Sequence, residues 1–136
     1  MIRAVYARVA AVKQEALFRG YTEMMVPREA LLHIWLNAYD FYRTHEREAR
    51  FLEQYLHSPY CRTNEPDKEA KDPTGKRIVK WMRPKKHGGV LKDLPAEAID
   101  SLTLGLAASL AKAPSGFSKS TLKGIAETVW SAIADA

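Results

Sequence analysis

Almost everywhere outside residues 61–74, the apolar side chains of this chain recur at intervals of three and four. That spacing repeats along one side of an α-helix, whereas a half-buried strand needs strict alternation. Val5, Val9, Val12 and Ala16 make one such row, with Tyr6, Lys13 and Leu17 beside it. Further along, Leu31, Trp35, Ala38 and Tyr42 lie next to a second row of Leu32, Leu36 and Tyr39. The pattern returns in Ile99, Leu102, Leu106 and Leu110, and again in Leu122, Ile125, Val129 and Ile133. No stretch has a strand pattern and none is an internal repeat, so the expected fold class is all-α.

Proline, glycine and serine mark where these helices start and stop. The first is expected over Ile2 to Arg19, ended by Gly20, because glycine tolerates the left-handed backbone that closes helices. Pro27 suits the first turn of a second helix running to Arg43 or Thr44. A third, Glu46 to His57, ends at Ser58-Pro59, since the residue before proline is pushed out of helical geometry. Residues 62–74 are polar and proline-bearing and are expected to form a mobile loop. A fourth helix is expected over Lys76 to His87, with Ile78, Trp81 and Met82 on one side and Pro84 and Gly88-Gly89 at its end. Asp93-Leu94-Pro95 opens a fifth, to Lys112, and Ser118 caps a sixth that runs to Ala134. Six helices in 136 residues make one domain over 1–136, which buries roughly two-thirds of the surface of its unfolded chain.

Several functional classes find no support in the residues. His33, His45, His57 and His87 include no pair at the i, i+4 spacing of a helical metal site, and Cys61 stands alone, so no metal is expected. Nothing marks a base for a Cys61 nucleophile, a phosphate-binding glycine loop or a serine elbow, so neither an enzyme nor a cofactor is expected. A single cysteine suits a reducing compartment such as the cytoplasm. No apolar run approaches the ~20 residues that span a bilayer. Met1 to Gln14 bears arginines but has no continuous apolar core of a signal peptide, and reads as part of the first helix.

The net charge of +5 is unevenly spread. Lys76, Arg77, Lys80, Arg83, Lys85, Lys86 and Lys92 stand in a segment without an acid, and 5 − 7 leaves −2 for the rest. Clustered lysines bind phosphates by releasing counterions. A solvated helix face with Trp81 turned inward accounts for the same run, and Ile78 and Met82 beside Trp81 favour it.

Arg50-Phe51-Leu52-Glu53-Gln54-Tyr55-Leu56-His57-Ser58-Pro59-Tyr60 resembles a recurrent stretch that closes a helix in the C-terminal sensor domain of TetR-type transcriptional regulators. The flanks are similar in order: Tyr39-Asp40-Phe41-Tyr42 before it, then Gly89 to Pro95, an alanine- and leucine-rich helix, and a late Trp130-Ser131-Ala132-Ile133. The resemblance spans nearly the whole chain. It implies a six-helix domain that binds a small apolar or aromatic effector and forms a homodimer through its last two helices. In the family a helix-turn-helix domain of about fifty residues precedes this part and reads the operator. This chain starts where that domain would have ended, so DNA is expected to be reached only through a helix-turn-helix domain missing here.

The resemblance also directs attention to particular residues. Trp35, Tyr39, Phe51, Tyr55 and Trp81, with Gln54 as a polar group, are the candidate effector-binding set, since ligand sites are mostly apolar with a few placed polar groups. Aromatics at helical spacing equally suit a plain core. The row Ser101, Gly105, Ala108 and Lys112 would let a partner helix approach closely, with Ile125, Val129 and Trp130 on the last helix completing the dimer interface. The other possibility is a stand-alone helical interaction module without an effector, pairing with itself or with full-length regulators.

Overall fold

Pro27 starts the helix on which the others are stacked. In the computed structural model, which describes residues 2–22, 24–56, 78 and 80–135, this helix, α2, spans Pro27–Thr44. Ala30, Leu31, Leu32, Ile34, Trp35, Ala38, Tyr39 and Phe41 are all buried along it, far more than one side of a helix, so it needs neighbours around most of its circumference. It has them in α1 (Ile2–Phe18), α3 (Glu46–Leu56), α4 and α5 (Lys119–Ile133). α4 is a continuous helix in three parts: Ala96–Asp100, a π-helical turn Ser101–Gly105, and Leu106–Ala111. The fold is all-α, with no strand among the described residues.

Trp35 and Phe41 are essentially inaccessible to water. An aromatic side chain of this kind removes roughly 150–250 Å² from solvent, about 4–6 kcal/mol of gross transfer free energy. Ala30, Ala38, Ala107 and Ala126 are fully buried as well; their small side chains let neighbouring backbones come close. Leu17, Leu52, Leu122, Val129 and Ile133 complete a single core.

Helix ends follow local chemistry. Gly20, at φ 82°, takes the left-handed conformation that stops α1, as expected. The hydroxyl of Ser118 accepts the N–H of Thr121 at 3.2 Å at the start of α5. Two departures from sequence expectation carry physical reasons. The helix expected over 76–87 is described from Ile78 and is left at Met82, so it does not reach His87. Pro84 would place its ring against the carbonyl of Lys80 and has no N–H to donate to it, and Arg83, preceding a proline, is itself excluded from helical geometry. The second departure is the π turn in α4, within a stretch whose apolar spacing reads as plain α-helix. His57, Cys61 and the loop expected at 62–74 lie outside the described residues.

In place of the lost helical turns, the chain folds back on itself. The N–H of Lys85 donates to Leu91 O at 2.9 Å, and the N–H of Leu91 to Arg83 O at 3.1 Å. Lys85–His87 form a short 3-10 turn closed by Gly88 at φ 88°. The C-terminal end of α5 locks this turn in place: Lys92 N–H donates to Ile133 O at 2.7 Å and Asp135 N–H to Val90 O at 2.9 Å.

Trp35→Phe keeps a buried ring but deletes its indole donor and leaves a void; we expect a loss of about 1–3 kcal/mol in denaturant unfolding. Gly89→Ala places a Cβ 1.9 Å from the Arg83 carbonyl oxygen and is expected to cost more than Gly88→Ala, where the space is open and only the left-handed backbone opposes a side chain, by about 1–2 kcal/mol. The same unfolding measurement ranks the two.

Candidate functional site

The i, i+4 spacing of Trp35 and Tyr39 stacks them on one face of α2. Their rings lie 6.4 Å apart at 14°. The indole N–H of Trp35 donates to the Thr103 carbonyl in the π turn at 3.0 Å. The Thr103 hydroxyl donates in turn to Ile99 O at 2.7 Å. One turn further along α2, the Tyr39 hydroxyl accepts the backbone N–H of Phe117 at 3.4 Å, and the two rings meet edge to face at 6.5 Å. Another turn on, the guanidinium of Arg43 donates to Ala111 O at 3.1 Å and Ala113 O at 2.9 Å, a cation at the C-terminus of α4, where the helix dipole favours it. Residues 35, 39 and 43 thus form one row serving α4 and the connection to α5.

A second row on α2 serves α1. Asn37 Nδ2 donates to Leu17 O and Arg19 O, both at 2.9 Å, and His33 Nε2 bonds Arg19 O. A carbonyl only accepts, so Nε2 is the donor in this bond. The last carbonyls of α1 are therefore capped by side chains of another helix. At its other end α1 meets α3, where Tyr6 stacks on Tyr55 at 4.1 Å and 15°.

The six candidate effector-binding residues fall into separate places. Trp35 and Tyr39 are buried together between α2 and α4. Phe51 and Tyr55 are paired on α3, with ring centroids 6.3 Å apart, and Gln54 on the same helix is exposed. Trp81 is half-buried and meets Trp130 edge to face at 6.4 Å. Sequence reasoning did not single out Tyr6, Phe117, Thr103, Asn37 or Arg43. The first two carried the signal of an aromatic side chain. Thr103 offers its own carbonyl to a side chain 68 residues away, and Asn37 and Arg43 bond backbone carbonyls 18 to 71 residues away, which periodicity does not report.

On the outer side of α4, Ser101, Gly105 and Lys112 are exposed and Ala108 is half-buried. A Cβ at Gly105 would meet only Asp100 and Ser101 of its own helix, and Leu102 is 36% exposed on the adjoining turn. On α5, Ile125 and Trp130 are half-buried, whereas Val129 is buried within the chain itself. α4 therefore leaves a row of mostly small side chains accessible, while the named α5 side chains are partly or fully covered by the chain itself.

Among the described residues, no group of three His, Cys, Asp or Glu side chains is arranged to hold a metal ion. No described helix is long and apolar enough to cross a membrane. Among the described carboxylates, Asp93 is perturbed: the hydrogen bond from Lys86 at 2.7 Å, with the charge of Lys86 and a smaller contribution from His87, lowers it.

A family described as the tetracyclin repressor-like C-terminal domain matches residues 29–134, from the first turn of α2 to the end of α5. The chain belongs to the TetR-family C-terminal domains. The match takes in both the aromatic row of α2 and the accessible small-residue row of α4, and it leaves α1 outside. No curated protein and no solved structure matches the chain. TetR-type C-terminal domains are regulatory, generally non-enzymatic, and typically dimerise.

Because the Asp93 carboxyl is depressed, its ion pair is intact above the ordinary carboxylate range and is lost as pH falls through the lowered value. Lys86→Ala should raise the Asp93 titration midpoint towards the ordinary carboxylate value, read from its carboxyl carbon in an NMR pH series.

Proposed function

We propose that this TetR-type domain is an effector-binding and dimerisation domain, acting in the cytoplasm, in which a small apolar or aromatic molecule alters an attached DNA-binding domain. The observation that carries the reading is the family match from residue 29 to residue 134. The effector contacts are drawn from Trp35, Tyr39, Phe51, Gln54, Tyr55 and Trp81. Two copies pair through Ser101, Gly105, Ala108 and Lys112 of α4 and Ile125 and Trp130 of α5, with Val129 backing that face from inside the chain.

The two rows on α2 support a route between these functions. A ligand shifts an equilibrium only as far as it prefers one state over the other. A molecule that prefers a different placement of the Trp35 and Tyr39 rings acts on α2, and α2 holds the end of α1 through His33 and Asn37. The Tyr6–Tyr55 stack gives α3 a second hold on the same helix. α1 is then the lever on which a DNA-binding domain is turned, and a change in its direction alters the spacing of two DNA-reading helices in a dimer.

The accessible row of small side chains on α4 is also what a pairing module without an effector would present, and the two readings part on ligand response. Sedimentation velocity is expected to give a dimer that Ser101→Arg with Gly105→Arg reduces to a folded monomer. In thermal unfolding with a panel of small apolar and aromatic molecules, a true effector at a hundred times its Kd adds about 2.7 kcal/mol of stability. Gln54→Ala, at an exposed position, should weaken that response while leaving the unliganded melting point in place. A dimer that responds to no member of the panel would favour the pairing module.

A further inference from the structure

The basic segment has a different shape from the one its sequence suggests. Lys80 and Trp81 end a helix, and from Met82 the chain enters the folded-back turn that closes at Leu91. Arg83, Lys85, Lys86, His87 and Lys92 are therefore not strung along a helix face. They surround one compact turn, and all of them are exposed, as is Lys80 at its entry. Among the described residues, the acid paired with this group is Asp93, which takes Lys86, and Asp135 lies at the turn through its backbone bond to Val90. Lys80, Arg83, Lys85 and Lys92 have no acid in the run from 75 to 92 that carries them.

We propose that this turn docks on the phosphate backbone of duplex nucleic acid without reading its sequence. Three features select that partner. The turn is held in advance by the Lys85, Leu91, Lys92 and Asp135 backbone bonds, so presenting its cations requires little further ordering. Five lysines and arginines within thirteen residues form a dense cationic array, the counterpart of a duplex that carries one negative charge per about 1.7 Å. Four of the five are lysines, which bind phosphates as point charges and lack the rigid fork by which arginine reads guanine. An anionic bilayer is the less suitable surface, because the large apolar side chains here point inward: Leu91 is buried, and Val90 and Trp81 are partly covered. With the segment's seven cations set aside, the remaining chain is net negative, so approach to a polyanion is oriented with this turn leading.

The test is fluorescence anisotropy of a labelled 20-base-pair duplex of arbitrary sequence, titrated with the whole chain. Four to five phosphate contacts predict a roughly 150- to 500-fold loss of affinity between 50 and 200 mM salt. Combining Lys80→Gln, Arg83→Gln, Lys85→Gln and Lys92→Gln should weaken binding at least tenfold at 50 mM salt and flatten the salt dependence. Removing three cations elsewhere, Arg47→Gln with Lys119→Gln and Lys123→Gln, should leave most of the affinity in place. Circular dichroism checks that each variant keeps its helices; should the fourfold variant lose them, Lys80→Gln with Lys85→Gln is the substitute, with a correspondingly smaller loss. The proposal is overturned if the duplex does not bind at 50 mM salt, if the distant variant loses as much as the turn variant, or if phosphatidylserine vesicles capture the chain and the duplex does not. None of these outcomes depends on an effector or on dimerisation.

Discussion

A tryptophan can sit in a dry interior only if its indole N–H finds an acceptor, and in this protein the acceptor is a carbonyl of the π turn in α4. An α-helix directs its carbonyls along its own axis, toward its own N–H groups. The wider turn at Ser101–Gly105 departs from that ladder, and it is here that a carbonyl is shared with a neighbouring helix. Single π turns of this kind are uncommon and tend to mark positions where a helix does more than span a distance. The packing of α2 on α4, and with it the centre of the molecule, rests on this donor and acceptor meeting.

The rest of the architecture extends the same device. From α2, Tyr39 and Arg43 reach the connection between α4 and α5, while His33 and Asn37 reach the end of α1. A buried or half-buried backbone group left without a partner is costly, and both neighbouring segments have such groups supplied by one helix. α2 is thus an apolar wedge with polar edges. This arrangement makes neighbours on opposite sides of α2 sensitive to one another, because a rotation of α2 that improves one row of bonds strains the other.

Much of this was legible in the residues. Proline at the first turn, glycine at the close of α1 and serine ahead of α5 each act locally, so reading them needs no knowledge of the fold. The apolar rows placed the helices, and on α2 and α5 also their buried sides, and the run from Arg50 to Tyr60 resembled the family that residues 29–134 match. On α1, by contrast, Val5 and Val12 are exposed, and α4 turns Thr103, Ala107 and Ala111 inward instead of the row that contains Leu102. What escaped the sequence has common physical origins. The π turn adds to the register of α4 without disturbing the spacing of Leu102 and Leu106. Pro84 acts backward, ending a helix at Trp81 instead of at the proline itself. The polar rows of α2 choose partners through space, and nothing in Asn37 or Arg43 alone announces which carbonyls they will meet. Of the candidate binding residues, the buried Trp35–Tyr39 pair followed from i, i+4 spacing, whereas the separation of Trp81 from Phe51 depends on tertiary placement.

The bonds that organise the interior join residues far apart along the chain: Trp35 with Thr103, 68 positions away, and Tyr39 with Phe117, 78 positions away. Closing loops of that length costs entropy before any contact offsets it, and non-local contacts of this kind slow folding relative to simple helical bundles. During synthesis, α2 leaves the ribosome well before the helices that cover it. Until α4 and α5 emerge, Trp35, Phe41 and their neighbours have no complete interior to enter. The nascent chain therefore carries an exposed apolar helix for much of its translation, a state in which early pairing with another chain, or shelter by a chaperone, competes with the native fold.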